Sequence, residues 1–198
     1  MLPGPTFNNE RRVPHRLLNT LLGGSFTSRL NMNLREVHGY TYGARSVFVM
    51  QPTVGYFIAY SSVRADVTGE SLKEFLFELR RAQEGDVTTE EAAKAEATLR
   101  ADIIASFAGL GGILSEAEER LLAGLPFSTV ADDINRIPTV SRGDLNALGD
   151  NAIQLNGGVL ILVGDKDVVR PQIEGLVPSP IEGDDAGNPV DREPDGRK

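Results

Sequence analysis

Chemistry in a polypeptide starts from groups that can hold a proton, a metal ion or a phosphate, and this sequence offers few of them. With no cysteine and two histidines, it has no thiolate nucleophile, disulfide framework or sulfur metal site. His15 and His38 stand 23 residues apart and form neither H-E-x-x-H nor H-x-x-E-H, so no helical turn presents two imidazoles to zinc. No serine occupies a G-x-S-x-G elbow, and both histidines are expected in polar, exposed surroundings, which argues against a Ser-His-Asp triad. The acidic pairs Glu90-Glu91, Glu118-Glu119 and Asp132-Asp133 fall on predicted helix surfaces or first turns, where acid suits the helix dipole and solubility. Gly23-Gly24 and Gly109 to Gly112 lack the Lys-Ser/Thr that follows a phosphate-binding loop. Neither a complete catalytic set nor a metal site is therefore expected within these residues.

The elements around these groups are easier to place. Leu17, Leu18, Leu21 and Leu22 lie at helical spacing after Pro14, and Gly23-Gly24 offers a left-handed stop. Ser25 or Thr27 can cap a second helix with Leu30, Leu34 and Val37 on one stripe, closed by Gly39. Tyr40 to Met50 and Gly55 to Val63 are aromatic and β-branched around Gln51-Pro52-Thr53-Val54, a predicted antiparallel hairpin. Thr68 opens a helix with Leu72, Phe75, Leu76 and Leu79 on one face, ended by Gly85. Thr88 followed by Glu91 is a capping-box pattern for an Ala-rich helix running to Phe107. Further helices are predicted over Leu114 to Ala123, Thr129 to Arg136, Arg142 to Asn151 and Asp167 to Gly175. Between the last two, Val159 to Val163 reads as a buried strand.

The order αα, ββ, several helices, β, α does not alternate as a doubly wound sheet would. The expected fold class is α+β, an antiparallel-rich sheet with helices packed on one face. Residues 1–12 are expected to be irregular, 13–176 to form one domain, and 177–198, rich in Pro, Gly and Asp, to be a disordered tail.

Composition removes whole classes of function. The chain has 198 residues, 40% apolar and 24% charged, with a formal net charge of -8. One ordinary core fits that length, and no apolar run approaches the roughly 20 residues of a membrane span. Excess acid without a basic patch argues against nucleic acid as a partner. Met1 to Arg12 have no apolar h-region and do not read as a secretory signal. The compartment stays open, and a longer precursor with its own leader would allow the cell envelope or periplasm.

One segment is far more specific in its order of cap, helix, cap and aromatic strand: Leu21 to Tyr42, LLGGSFTSRLNMNLREVHGYTY. It resembles the corresponding segment of the insulinase, or pitrilysin-type, zinc metallopeptidase family, in which a glycine pair, Ser-Arg-Leu, Leu-Arg-Glu and Gly-x-x-Tyr follow in this order. The likeness continues through the hairpin, Val87 to Glu91 and Val163-Gly164-Asp165, covering about residues 13–176. In that family two homologous halves enclose a chamber; one carries H-x-x-E-H and zinc, the other an arginine and a tyrosine that hold substrate. This chain resembles the second, C-terminal, half.

The resemblance implies that Arg35, of Leu-Arg-Glu, and Tyr42, seven residues later, bind substrate and share in stabilising the transition state. It implies no cofactor in this chain and zinc in a partner half, so metalloendopeptidase activity would require that zinc-bearing homologous half and a peptide substrate. Without the resemblance, an arginine near a helix C-terminus suits the dipole and a strand tyrosine is commonly core. Tyr40 is the competing tyrosine, and strict alternation puts it on the face of Tyr42. Arg29 and Glu36 are assigned to ion pairing or capping and His38 to a C-terminal cap. The family's half-domain opens with a strand, whereas Met1 to Arg12 show no alternating apolar pattern, so that strand is expected to be missing and a sheet edge left unpaired. The alternatives are a non-catalytic assembly subunit, of the kind seen in the core subunits of respiratory processing complexes, or a fragment of a longer peptidase.

Overall fold

A computed structural model describes residues 1–178 and 181–184. The chain opens with a two-residue strand, β1 (Leu2–Pro3), and helix α1 (Arg12–Asn19), which continues as a π-helical segment over Thr20–Gly24. Pro14 sits in the first turn of α1, where its missing N–H leaves nothing unpaired. A one-turn helix α2 (Arg29–Asn31) likewise widens into a π-helical segment, Met32–Val37. Strands β2 (Thr41–Met50) and β3 (Gly55–Val63) form the expected hairpin, followed by helices α3 (Thr68–Glu84), α4 (Thr89–Ser106), α5 (Leu110–Leu122), α6 (Thr129–Arg136), α7 (Arg142–Ala152) and α8 (Lys166–Ile173).

Local chemistry accounts for most of these boundaries. Thr88 Oγ1 accepts from Glu91 N while Thr88 N donates to the Glu91 carboxylate, the reciprocal box that opens α4 Ser141 and Asp144 do the same for α7. Gly85 ends α3 at φ 75°, a left-handed position where a side chain would be strained.

Among the described residues the sheet is antiparallel, in the order β1-β3-β2. Ala44, Ser46 and Phe48 of β2 face inward and alternate with the more exposed Arg45 and Val47. Phe48 lies opposite Phe57, their rings 4.8 Å apart. Against this face pack Leu17, Leu18, Leu22, Leu30 and Leu34, and beyond them Leu79, Leu145, Leu148 and Ile153. A smaller cluster of Leu72, Val169 and Ile173 docks α8 on α3. The fold is thus α+β, with helices on one face of a small antiparallel sheet.

Several expectations are corrected here. The opening strand is present: Leu2 and Pro3 pair with Phe57 and Tyr56, and Leu2 joins the core. Two residues are too few to show a period-2 pattern. Val159 to Val163 form no buried strand; the run lies outside the three-stranded sheet and is exposed, and among the described residues Val159 pairs with Met1. Gly23-Gly24 makes no left-handed turn. Those glycines serve close packing instead, for a Cβ on Gly23 would stand 2.4 Å from Ser46 N. His15 is buried rather than exposed, edge-on to Phe48 at 4.9 Å, with Nδ1 donating to the Arg11 carbonyl at 2.7 Å; burial lowers its pKa. The disordered tail expected over 177–198 falls mostly on residues outside those described. Within it, Glu182 accepts from Lys166 and Arg170.

Candidate functional site

Arg35 and Tyr42 flank the joint between the second helix and β2. The helix reaches that joint through its π-helical segment, whose wider turn sets where Arg35 leaves the axis. His38 N donates to Asn33 O, Gly39 N to Arg35 O and Tyr40 N to Leu34 O, and Gly39 turns the chain at φ 64°, as its position in the sequence predicts. Asn31 ties the joint down: its Nδ2 donates to Phe26 O at 2.6 Å and its Oδ1 accepts from Ala44 N at 3.2 Å.

The Arg35 guanidinium lies over the Phe26 ring, 4.5 Å from its centroid, and 3.5 Å from Glu36. Its side chain keeps 35% of its surface exposed. Tyr42 is 99% exposed. Strict alternation would place it with Ala44 and Ser46 inside, but β2 carries one extra residue between Thr41, opposite Val63, and Ala44, opposite Ser61. That bulge reverses the facing of the strand's first residues. Thr41 holds it: its Oγ1 accepts from Gly43 N at 3.0 Å and donates to Ser62 O at 2.6 Å. Tyr40 lies outside the strand, its ring stacked on His38 at 4.9 Å, and partial desolvation with the nearby Glu70 charge raises its pKa. The alternation argument that grouped the two tyrosines fails at the bulge.

An open cleft of about 360 Å³ is lined by Thr20, Met32, Asn33, His38, Glu78 and Arg81 among others, but by neither Arg35 nor Tyr42. Its polar wall is a network that sequence reading largely missed. Buried Arg29 donates through Nε and Nη2 to Glu91 at 2.7 and 2.8 Å and through Nη1 to Asp86 at 2.5 Å. Arg81 joins Asp86 to Glu78, and Asn33 Nδ2 reaches Glu78 and Glu74. Arg29 was assigned to ion pairing, as found, but its partners lie 57 and 62 residues away and leave no local signal. Phe26, the platform for Arg35, sits in a loop without periodicity.

Glu91 gives the network a pH signature. Burial alone would push its carboxyl up; hydrogen bonds from Arg29 and Thr88, with the Arg29 charge, outweigh that and hold it at about 2, below its usual 4.5. A carboxyl depressed by folding contributes stability above its unfolded pKa that is lost as pH falls towards the folded value. Urea titrations are therefore expected to show stability falling between about pH 5 and pH 2, and Glu91→Gln to flatten that limb. An unchanged limb in the variant would show that Glu91 is not its source.

Among the described residues, no three His, Asp or Glu side chains are grouped to hold a metal ion, and no single helix is long and apolar enough to cross a membrane.

Comparison with known proteins agrees with this architecture. The family model described as the peptidase M16 inactive domain matches residues 1–99. A zinc protease of Streptomyces coelicolor, itself described as uncharacterized, is 27% identical over 176 residues, covering 89% of this chain and 38% of that protein. The chain thus spans well under half the length of this curated relative. Among solved structures, the peptidase M16 inactive domain from Pseudomonas fluorescens aligns with a TM-score of 0.70 at 22% identity, over 78% of this chain and 37% of the other. A chain of Complex III2 from Candida albicans aligns with a TM-score of 0.66 at 14% identity, over 76% and 38%. At these identities the structural likeness is one of fold.

Proposed function

The chain belongs to the peptidase M16 inactive-domain family, and from that premise we propose that it is the substrate-binding, non-zinc half of an insulinase-type metalloendopeptidase, hydrolysing peptides together with a homologous zinc-bearing half. Zinc in the partner half would polarise the scissile carbonyl and activate water. The work of this chain is to hold the peptide. The Arg35 guanidinium and the Tyr42 hydroxyl donate to a substrate carbonyl beside the scissile bond and to the oxyanion that develops there.

Tyr42 carries the reading. A bulge turns this large aromatic side chain wholly into solvent, away from a face where alternation would bury it, and leaves its hydroxyl open to a ligand. Arg35 supports it, steadied on Phe26 yet with free surface. Tyr40, its ring stacked on His38, is the poorer candidate.

The test is reconstitution. Co-expressed with its H-x-x-E-H half, this chain is expected to cleave an internally quenched peptide, while each half alone does not. A stable pair without peptidase activity would overturn this proposal and favour the non-catalytic assembly role, towards which the fold shared with a Complex III2 chain points.

A further inference from the structure

Tyr42 does not stand alone on its face of the hairpin. Ala44, Ser46 and Phe48 point into the core, so Arg45, Val47 and Val49 point outward, opposite Tyr60, Ile58 and Tyr56 of β3. The bulge puts Tyr42 with them. Thr41 lies opposite Val63 and Ala44 opposite Ser61, and Thr41 Oγ1 accepts from Ser61 Oγ at 3.0 Å on the inner side. Tyr42 therefore points outward with Arg45, which follows it by three positions on the same strand. At about 3.3 Å per residue the two backbones are at most about 10 Å apart.

Arg45 is the only charged residue of β2 and β3. The other outward residues, Val47, Val49, Tyr56, Ile58 and Tyr60, are apolar or aromatic, whereas the open face of an antiparallel sheet commonly alternates to polar. Among the described residues its guanidinium makes no ion pair or hydrogen bond, while Arg12, Arg29, Arg64, Arg81 and Arg120 are each held by a carboxylate. In a chain of net charge -8 an uncommitted arginine stands out. Its five donors form a fork that fits a carboxylate. Tyr60, 54% exposed, stands directly across the ladder as a wall beside it, and Val47 and Ile58 keep water from one side.

We propose that Arg45 determines specificity in the substrate site by taking an acidic side chain of the peptide, Asp or Glu, two or three residues from the carbonyl that Tyr42 holds. This rests on the substrate-holding role given to Tyr42 above and names the class of peptide that role favours. An extended peptide covers the separation from Tyr42 to Arg45 in about three residues. The ion pair forms when substrate binds and persists unchanged in the transition state, so it lowers KM and leaves kcat alone. That separates it from the oxyanion donors.

A charge scan of the substrate tests the proposal. Internally quenched peptides carrying Glu, Gln or Lys at each of the three positions on either side of the scissile bond are offered to the assembled two-half pair at low ionic strength. Glu at one position, two or three residues from the bond, is expected to give a KM about three- to tenfold below that of Gln, an advantage that shrinks as salt screens the pair. Arg45→Gln is expected to erase this advantage, and Arg45→Glu to transfer it to Lys at the same position. A purely structural arginine would move neither preference. Both variants are expected to melt with the parent, the side chain being exposed and unpaired, and a large fall in melting temperature would make Arg45 structural and overturn the proposal. A parent with no Glu advantage at any position also overturns it, as does an advantage that survives both substitutions. In those cases cleavage itself leaves the two-half reading standing. A pair that cleaves none of the peptides overturns that reading, and the role of Arg45 with it.

Discussion

Arg35→Ala and Tyr42→Phe, each introduced into the two-half peptidase proposed above, are expected to lower kcat by about 10² to 10³, the effect of removing one donor to a developing oxyanion. The Tyr42 change is the cleaner of the two. Its hydroxyl stands in solvent, so its loss costs the fold nothing, and the melting temperature of the variant matches that of the parent. Arg35→Ala also removes a cation–π contact with Phe26, about 0.5 to 1 kcal/mol at an exposed site, too little to unfold the domain. The division between kinetic constants separates the roles. A donor engaged only in the transition state lowers kcat and kcat/KM alike, whereas one that merely grips the substrate raises KM and leaves kcat unchanged. Turnover unaffected by both substitutions would remove these residues from the site.

The largest loss of stability is expected from Asp133. Its carboxylate receives Arg120 Nη2 at 3.1 Å and Arg12 Nη2 at 2.5 Å, and all three side chains are deeply or mostly buried. Arg120 also reaches Glu116 and Thr129, and both guanidinia stand 5.8 Å from the Phe7 ring. One carboxylate thus joins α1, α5 and α6. Asp133→Asn keeps the volume but leaves two buried guanidinia with a single remaining carboxylate, at a cost of about 3 to 5 kcal/mol. For a domain of this size that is a drop in melting temperature of roughly 10 °C. An apolar replacement of the whole cluster, Asp133→Leu and Glu116→Leu with Arg120→Met and Arg12→Met, is expected to recover much of the loss, because it removes the buried charges together. A cost below about 1 kcal/mol for Asp133→Asn would place the pair among surface ion pairs instead.

Short-range chemistry was readable in the sequence. The capping box at Thr88 and Glu91, the run from Thr68 to Gly85, the hairpin and the bounds of α6 all depend on residues within a few positions of one another. The family was readable for a related reason, since Leu21 to Tyr42 compresses two helix ends and a strand start into 22 residues. Features set by distant partners were not. Asp132-Asp133 reads as helix surface because nothing local announces Arg12, 121 residues away. The two-residue β1 is a strand only because β3 lies beside it. Val159 to Val163 has the composition of a buried strand but, among the described residues, no sheet strand covers its length. At the candidate site, the placing of Arg35 near a helix end and Tyr42 at a strand start was legible. The outward facing of Tyr42 was not, because a bulge is an irregularity of pairing rather than of composition.

The widened turn that carries Arg35 bears on how such a domain tolerates insertion and loss. A π-helical turn holds one residue more than an α-turn, so deleting a single residue between Met32 and Val37 would restore a regular helix with the flanking residues in register, while the residues of the widened turn, Arg35 among them, take new directions. Regular helix geometry would be regained and the aim of the guanidinium lost. The length of this segment therefore sets where Arg35 points, and under the two-half reading proposed above a one-residue gap there is expected to keep the scaffold and weaken the hold on substrate.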